Sequence, residues 1–170
     1  GSSIQRTVPA RSGRMQVLRI INDLLNQPRL PHSSMTDLGA LLKGGLHSIK
    51  KRSLVFVVSD FISTPGWERT LNLLNQRHEV IAIRLWDPRE MDLPDIGPIV
   101  MEDAETGEQL YVDTHDKKFR KRFRDAAQQR ELALTDSFKR AGVDVLPLST
   151  EEDLMHAIAR FVMLRRQHKR

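Results

Sequence analysis

The sequence contains no cysteine. A disulfide framework and any cysteine-ligated zinc or iron–sulfur centre are therefore excluded. The composition suits a reducing compartment, and a cytoplasmic location is expected. Long apolar runs are missing too. The longest, Leu54–Val58 with its flanks, is strand-sized and far short of the ~20 residues of a membrane-spanning helix. No glycine-rich phosphate cradle is present, because Gly44-Gly45 follows a helical stretch rather than a strand. No Gly-x-Ser-x-Gly elbow exists to raise a nucleophilic serine. The six histidines never recur at i, i+3 or i, i+4, so no helix can aim two of them at one zinc ion. Nucleotide hydrolysis, serine-hydrolase chemistry and helical zinc sites all lack their residues.

What is present reads as one ordinary α/β domain. The chain has 170 residues, long enough for a proper core, with 39% hydrophobic and 29% charged residues. Gly1–Ser3 has the look of a cloning remnant, which leaves 4–170 as the domain. The formal charge of +5 is concentrated in Lys117–Arg124 and Arg165–Arg170. One is a helix face and the other a chain end. Both read as solvated basic surface, so a nucleic-acid partner is not expected. Phe119 and Phe123 interleave the first basic row four residues apart, which is core spacing rather than a base-stacking platform.

Met15, Val17, Leu18, Ile21, Leu24 and Leu25 predict a helix that Pro28 and Pro31 end. Ser34 as cap, with Asp37 in the first turn, opens a second helix burying Leu38, Leu41, Leu42, Leu46 and Ile49. Gly44-Gly45 weakens it by about 1 kcal/mol per glycine and would admit another element closely. Ser53–Ser59 predicts a strand apolar on both faces, as in the middle of a parallel sheet. Thr64-Pro65 starts a helix with Trp67, Leu71 and Leu74 inside. Glu79–Trp86 is a second strand. Pro98–Asp103 and Glu108–Asp113 predict a hairpin around Gly107. A long helix, Asp116–Ala141, stops at Gly142, and Val143–Leu148 is a third parallel strand. Ser149-Thr-Glu-Glu152 reads as the capping box of a last helix. Alternating strands and helices imply a parallel sheet covered on both faces. Leu54–Val58 is too apolar for a bare edge. It calls for a further strand from upstream, or for a second copy pairing through 54–58 as a homodimer.

Ligands of open parallel sheets bind beyond the carboxyl ends of the strands. Asp60 and Asp87 fall there, and Thr36 at a helix mouth can reach the same rim. Hydroxyl and carboxylate oxygens suit Mg²⁺ or Mn²⁺. The plainer alternative makes Asp60 a loop cap and Thr36 part of a helix start.

The ordered series Thr36-Asp37-Leu38, Leu54–Phe61, Trp67-Glu68-Arg69, Glu79–Arg84, Asp87–Glu90, Asp103–Gly107 and Val112-Asp113 resembles the domain-of-unknown-function fifty-eight family. That family is von Willebrand factor A-like, and the resemblance runs from about Thr7 to Arg165. It implies a three-layer, Rossmann-like parallel sheet with an inserted β-hairpin. It also implies that the first strands, with the Asp-x-Ser-x-Ser loop of a metal-ion-dependent adhesion site, lie upstream of residue 1. Thr36 and Asp60 correspond to the threonine and later aspartate of that site. Mg²⁺ or Mn²⁺ is thus expected in the complete domain and not in this chain alone. The genes of such proteins usually accompany those of MoxR-type AAA+ ATPases, which makes such an ATPase the expected partner. The reading favoured is a non-enzymatic protein-binding module. The alternatives are a metal-independent scaffold contacting through Pro98–Asp113, and a metal-dependent nuclease or phosphoryl-transfer enzyme using Asp60, Asp87 and Glu90.

Overall fold

The structure, a computed structural model, describes residues 6–26, 37–102 and 107–168. Three strands form a parallel sheet in the order β1 (Leu54–Ser59), β2 (Glu79–Trp86), β5 (Asp144–Ser149). The register pairs Leu54 with Glu79 and Ser59 with Arg84, then Ile81 with Asp144 and Trp86 with Ser149. β3 (Pro98–Glu102) and β4 (Gln109–Asp113) pair antiparallel as a separate hairpin. The turn residues 103–106 lie outside the described residues.

Period-2 alternation sends β1 and β2 side chains to two faces. Val57, Val80 and Ala82 join one core with Leu38 and Leu42 of α2 (Leu38–Ser48). Trp67, Leu71 and Leu74 of α3 (Trp67–Arg77) complete it with Phe138 and Ala141 of α4 (Lys117–Ala141). Leu71 and Ala141 are wholly buried. Each buried leucine here stabilises the fold by about 1.5–3 kcal/mol. The β1–α3–β2 and β2–α4–β5 connections both cross this face while the sheet grows in one direction, the arrangement right-handed crossovers produce. The other face carries α5 (Leu154–His168), the one helix packed there among the described residues. Arg165 fixes that helix to the sheet, its Nε 2.6 Å from Asp144 Oδ2 and an η nitrogen 2.5 Å from Glu79 Oε1. The expected three layers and the hairpin are therefore present. No described helix is long and apolar enough to cross a membrane.

Several local expectations are corrected. Asp37, not Ser34, caps α2: its carboxylate accepts from Ala40 N at 2.9 Å, while Ser34 lies outside the described residues. Leu41 is half exposed, because helical period leaves only Leu38 and Leu42 fully on the sheet side. Among the described residues nothing packs closely on Gly45. α3 begins at Trp67 rather than at Pro65. Gly66 supplies the turn at φ 102, a conformation a β-carbon disfavours, and its N–H donates to Glu68 Oε2. Ser149 accepts from Glu151 N instead of capping the last helix, a task left to Asp153, whose Oδ1 accepts from His156 N. α4 behaves as expected. Asp116 accepts from Lys118 N at its start, and Gly142 at φ 67 ends it in the left-handed region.

The described residues leave two apolar surfaces uncovered. α1 (Arg14–Leu25) buries none of its residues. β1 is an edge strand, with Leu54, Phe56 and Val58 each just over half exposed. Its sequence suits a central strand, yet only β2 pairs with it among the described residues.

Candidate functional site

All three parallel strands end at one rim. At the end of β1 the backbone turns sharply, and Phe61 takes the left-handed conformation, φ 58. That is strained for a residue with a β-carbon. Four contacts hold it. Ser59 Oγ accepts from Phe61 N at 2.9 Å, and Asp60 Oδ1 accepts from Ile62 N at 3.0 Å. The Phe61 ring sits 4.8 Å from Phe138 and 5.3 Å from Trp67, centroid to centroid. A buried aromatic cluster thus sets the direction of the exposed Asp60. Among the described residues the Asp60 bonds, including one from Ser59 Oγ at 3.3 Å, fall on Oδ1. The N-terminus of α2 is tied to the same loop, since Leu38 N donates to Ser63 Oγ at 3.0 Å.

Thr36, the other expected ligand, lies outside the described residues, one position before the α2 cap. Asp87 sits at the end of β2, but its oxygens are engaged. Oδ1 accepts from Arg89 N at 2.8 Å and Oδ2 from Thr150 Oγ1 at 3.0 Å. The Arg89 backbone bond chiefly, with Thr150 and the Arg89 charge, holds its carboxyl below the ordinary value of 3.8. It caps the short 3₁₀ turn Pro88–Glu90. Among the described residues no three His, Asp or Glu side chains gather as a metal would need. Asp60 by itself is a thin donor set for Mg²⁺, which demands six oxygens and dehydrates reluctantly.

Beside Asp60 the free edge of β1 is flanked by a groove on each face. One, of about 560 Å³, runs between Leu54, Phe56, Ile81 and Ile83 of the sheet and Ile158 and Phe161 of α5. The other, of about 360 Å³, lies between β1 and the Leu41–Ile49 stretch of α2, over Gly44 and Gly45. Arg6, Thr7 and Val8 also line this groove, and among the described residues nothing lies within 4 Å of where a β-carbon on Gly45 would sit. The basic row of α4 is partly committed elsewhere: Arg120 pairs with Asp95, and both Asp92 oxygens accept from Arg124 at 2.8–2.9 Å. Phe119 and Phe123 are half-buried on that helix.

Sequence reasoning missed one polar feature. Arg84 lies on the core face of β2, its side chain only 7% exposed, and is paired with Glu131 of α4. The visible signal was a lone cation in the otherwise apolar run Val80–Trp86.

Comparison with known proteins adds the following. The protein-family model described as "Protein of unknown function DUF58" matches residues 1–133. An uncharacterized Mycobacterium avium protein, MAV169, is 35% identical over 160 residues, 94% of either chain. Uncharacterized proteins of Mycobacterium tuberculosis and Mycobacterium bovis are 32% identical over 167 residues, which is 98% of this chain and 52% of each relative. The chain thus spans about half the length of those two relatives and nearly all of the M. avium one. No solved structure matches it.

Proposed function

Because this chain belongs to the DUF58 family, we propose that it is a non-enzymatic, cytoplasmic protein–protein interaction module whose business end is the β1 edge and the rim beyond it. The observation that carries this reading is the slot around β1. An apolar strand, paired on one side only among the described residues and with a groove on either face, ends in an aspartate held outward by a buried aromatic cluster. An edge of this kind is a template for another polypeptide, and soluble proteins normally block or cover it. A catalytic reading has less support. Asp87 is used as a cap, and no carboxylate cluster forms among the described residues.

Asp60 and Thr36 are the residues this reading assigns to an adhesion-type metal site. The described residues do not amount to such a site. On this reading other oxygen donors, an acidic side chain of the partner among them, would complete the coordination. The family setting makes a MoxR-type AAA+ ATPase the partner inferred, in assembly or maturation of other complexes.

The test is calorimetry on this chain and on its M. tuberculosis relative, about twice as long, with Mg²⁺, Mn²⁺ and a MoxR-type ATPase as titrants. Saturable metal binding by the longer protein, together with ATPase binding, supports the reading. ATPase binding without any metal binding selects a metal-independent scaffold. A protein that binds neither metal nor ATPase sinks the proposal.

A further inference from the structure

The open side of β1 carries a pattern in its backbone and in its charges. Glu79 N donates to Ser53 O at 2.9 Å, and the register sets Leu54 against Glu79. In a sheet, successive residues of a strand turn their N–H and C=O groups to opposite sides. β2 therefore takes those of Ser53, Val55, Val57 and Ser59, and those of Leu54, Phe56 and Val58 point at the open edge. The same three residues carry the exposed apolar side chains of the strand, and Leu54 and Phe56 wall the groove under α5. Arg6, Thr7 and Val8 line the groove on the α2 side and not this one. The two ends of the strand differ in sign. Lys50, Lys51 and Arg52 precede it, Asp60 follows it, and all four are exposed. Among the described residues neither Arg52 nor Asp60 has an ion-pair partner.

We propose that this edge pairs with the same edge of a second copy, antiparallel about a two-fold axis at Phe56. In that register Leu54, Phe56 and Val58 of one copy lie opposite Val58, Phe56 and Leu54 of the other. Each pair brings outward N–H and C=O groups together, so each exchanges both bonds of an antiparallel hydrogen-bonded pair. Two positions further out, Arg52 of one copy meets Asp60 of the other, and the two-fold makes that contact twice. A parallel pairing would set Arg52 beside Arg52 and Asp60 beside Asp60. The axis stands perpendicular to the sheet, so both α5 helices lie on one face. Their grooves join over a common floor of Leu54, Phe56 and Val58 from each copy. In the longer mycobacterial relatives, chain beyond the matched half is a rival occupant of such an edge, whereas the M. avium relative, matched over 94% of its length, has almost none to offer. The inference rests on the open edge of the proposed function and names a polypeptide that takes it, but it requires neither metal nor ATPase. A copy paired in this way withholds the edge from any other protein.

The experiment is sedimentation velocity of this chain over a range of concentration, joined to amide hydrogen exchange followed by NMR. A dimer is expected. Exchange at Leu54, Phe56 and Val58 should slow as concentration rises, while Val55 and Val57, already bonded to β2, keep their protection. Arg52→Glu should weaken the dimer by about tenfold or more, since an attractive contact turns repulsive at both ends of the ladder. Asp60→Lys should do the same. Arg52→Glu combined with Asp60→Lys should return the affinity close to that of the unaltered protein, because the two-fold again sets opposite charges together. A strict monomer at high concentration, a dimer in which the Leu54, Phe56 and Val58 amides do not slow, or a double variant no tighter than the single ones overturns the proposal. The two readings fail separately. A monomer that still binds the ATPase leaves the proposed function standing, and a dimer that binds neither metal nor ATPase leaves only the self-pairing.

Discussion

Replacing Phe138 by alanine tests whether the aromatic cluster holds both the core and the Asp60 loop. Phe138 is 5% exposed and meets Phe61 at 4.8 Å, nearly perpendicular, and Trp67 at 5.6 Å. Truncating a buried phenylalanine costs about 3–5 kcal/mol through lost transfer energy and the cavity left behind. Its two ring contacts, one edge-on to Phe61 and one tilted against Trp67, each worth about 0.5–1.5 kcal/mol, keep this one from the bottom of that range. A domain of this size has roughly 5–15 kcal/mol in all. About 4 kcal/mol is therefore a large share, and it corresponds to a fall in Tm of roughly 8–16 °C. Far-UV circular dichroism through thermal and urea unfolding reads it. Phe138→Leu keeps most of the volume and should cost only about 1–1.5 kcal/mol. Hydrogen exchange at Phe61–Ser63 should quicken in the alanine variant, because the strained φ of Phe61 loses its support. A loss below about 1 kcal/mol, or unchanged exchange in the loop, would refute the argument that Phe138 positions Asp60.

Glu131→Ala should cost about 2–3 kcal/mol in urea unfolding, since it strands the Arg84 charge inside, while Arg84→Met with Glu131→Leu should recover at least half; a double variant as unstable as the single one contradicts this. The depressed carboxyl of Asp87 contributes stability that is complete above its unfolded value and is lost as pH falls through the lower folded one. Asp87→Asn should therefore flatten the drop in urea midpoint below about pH 4, and an unchanged acid limb would show that the cap does not matter. The free β1 edge should let two copies pair, giving a dimer by light scattering that Phe56→Lys returns to monomer with little change in Tm; a strict monomer at high concentration in the unaltered protein removes that expectation. Arg165→Ala should raise hydrogen exchange along Leu154–Arg166, because it unties α5 from Glu79 and Asp144; equal protection would assign the docking of α5 to its apolar side chains alone.

Much of this architecture was legible in the sequence because it rests on local period and punctuation. The apolar run at Leu54–Val58, the helical spacing of Trp67, Leu71 and Leu74, and Gly142 after a long amphipathic stretch each specify an element without reference to distant residues. Cap identity was less legible. Asp37, Gly66 and Asp153 displaced Ser34, Thr64 and Ser149, because several neighbouring residues can satisfy a helix start and packing chooses among them. Asp60 could be named as a rim residue from the strand it follows. That its direction depends on Phe138, in a helix far along the chain, could not.

The sequence by itself determined the order of elements, the parallel character of the sheet and the carboxyl-end position of Asp60, all consequences of local propensity and handed connections. Only the tertiary structure decided what is left open. It made β1 an edge bordered by two grooves, engaged Asp87 as a cap, and paired Arg84 with Glu131 of α4. Those outcomes depend on which distant side chains meet across the sheet. Burial and hydrogen-bond satisfaction act between such neighbours, and a one-dimensional pattern carries no record of them.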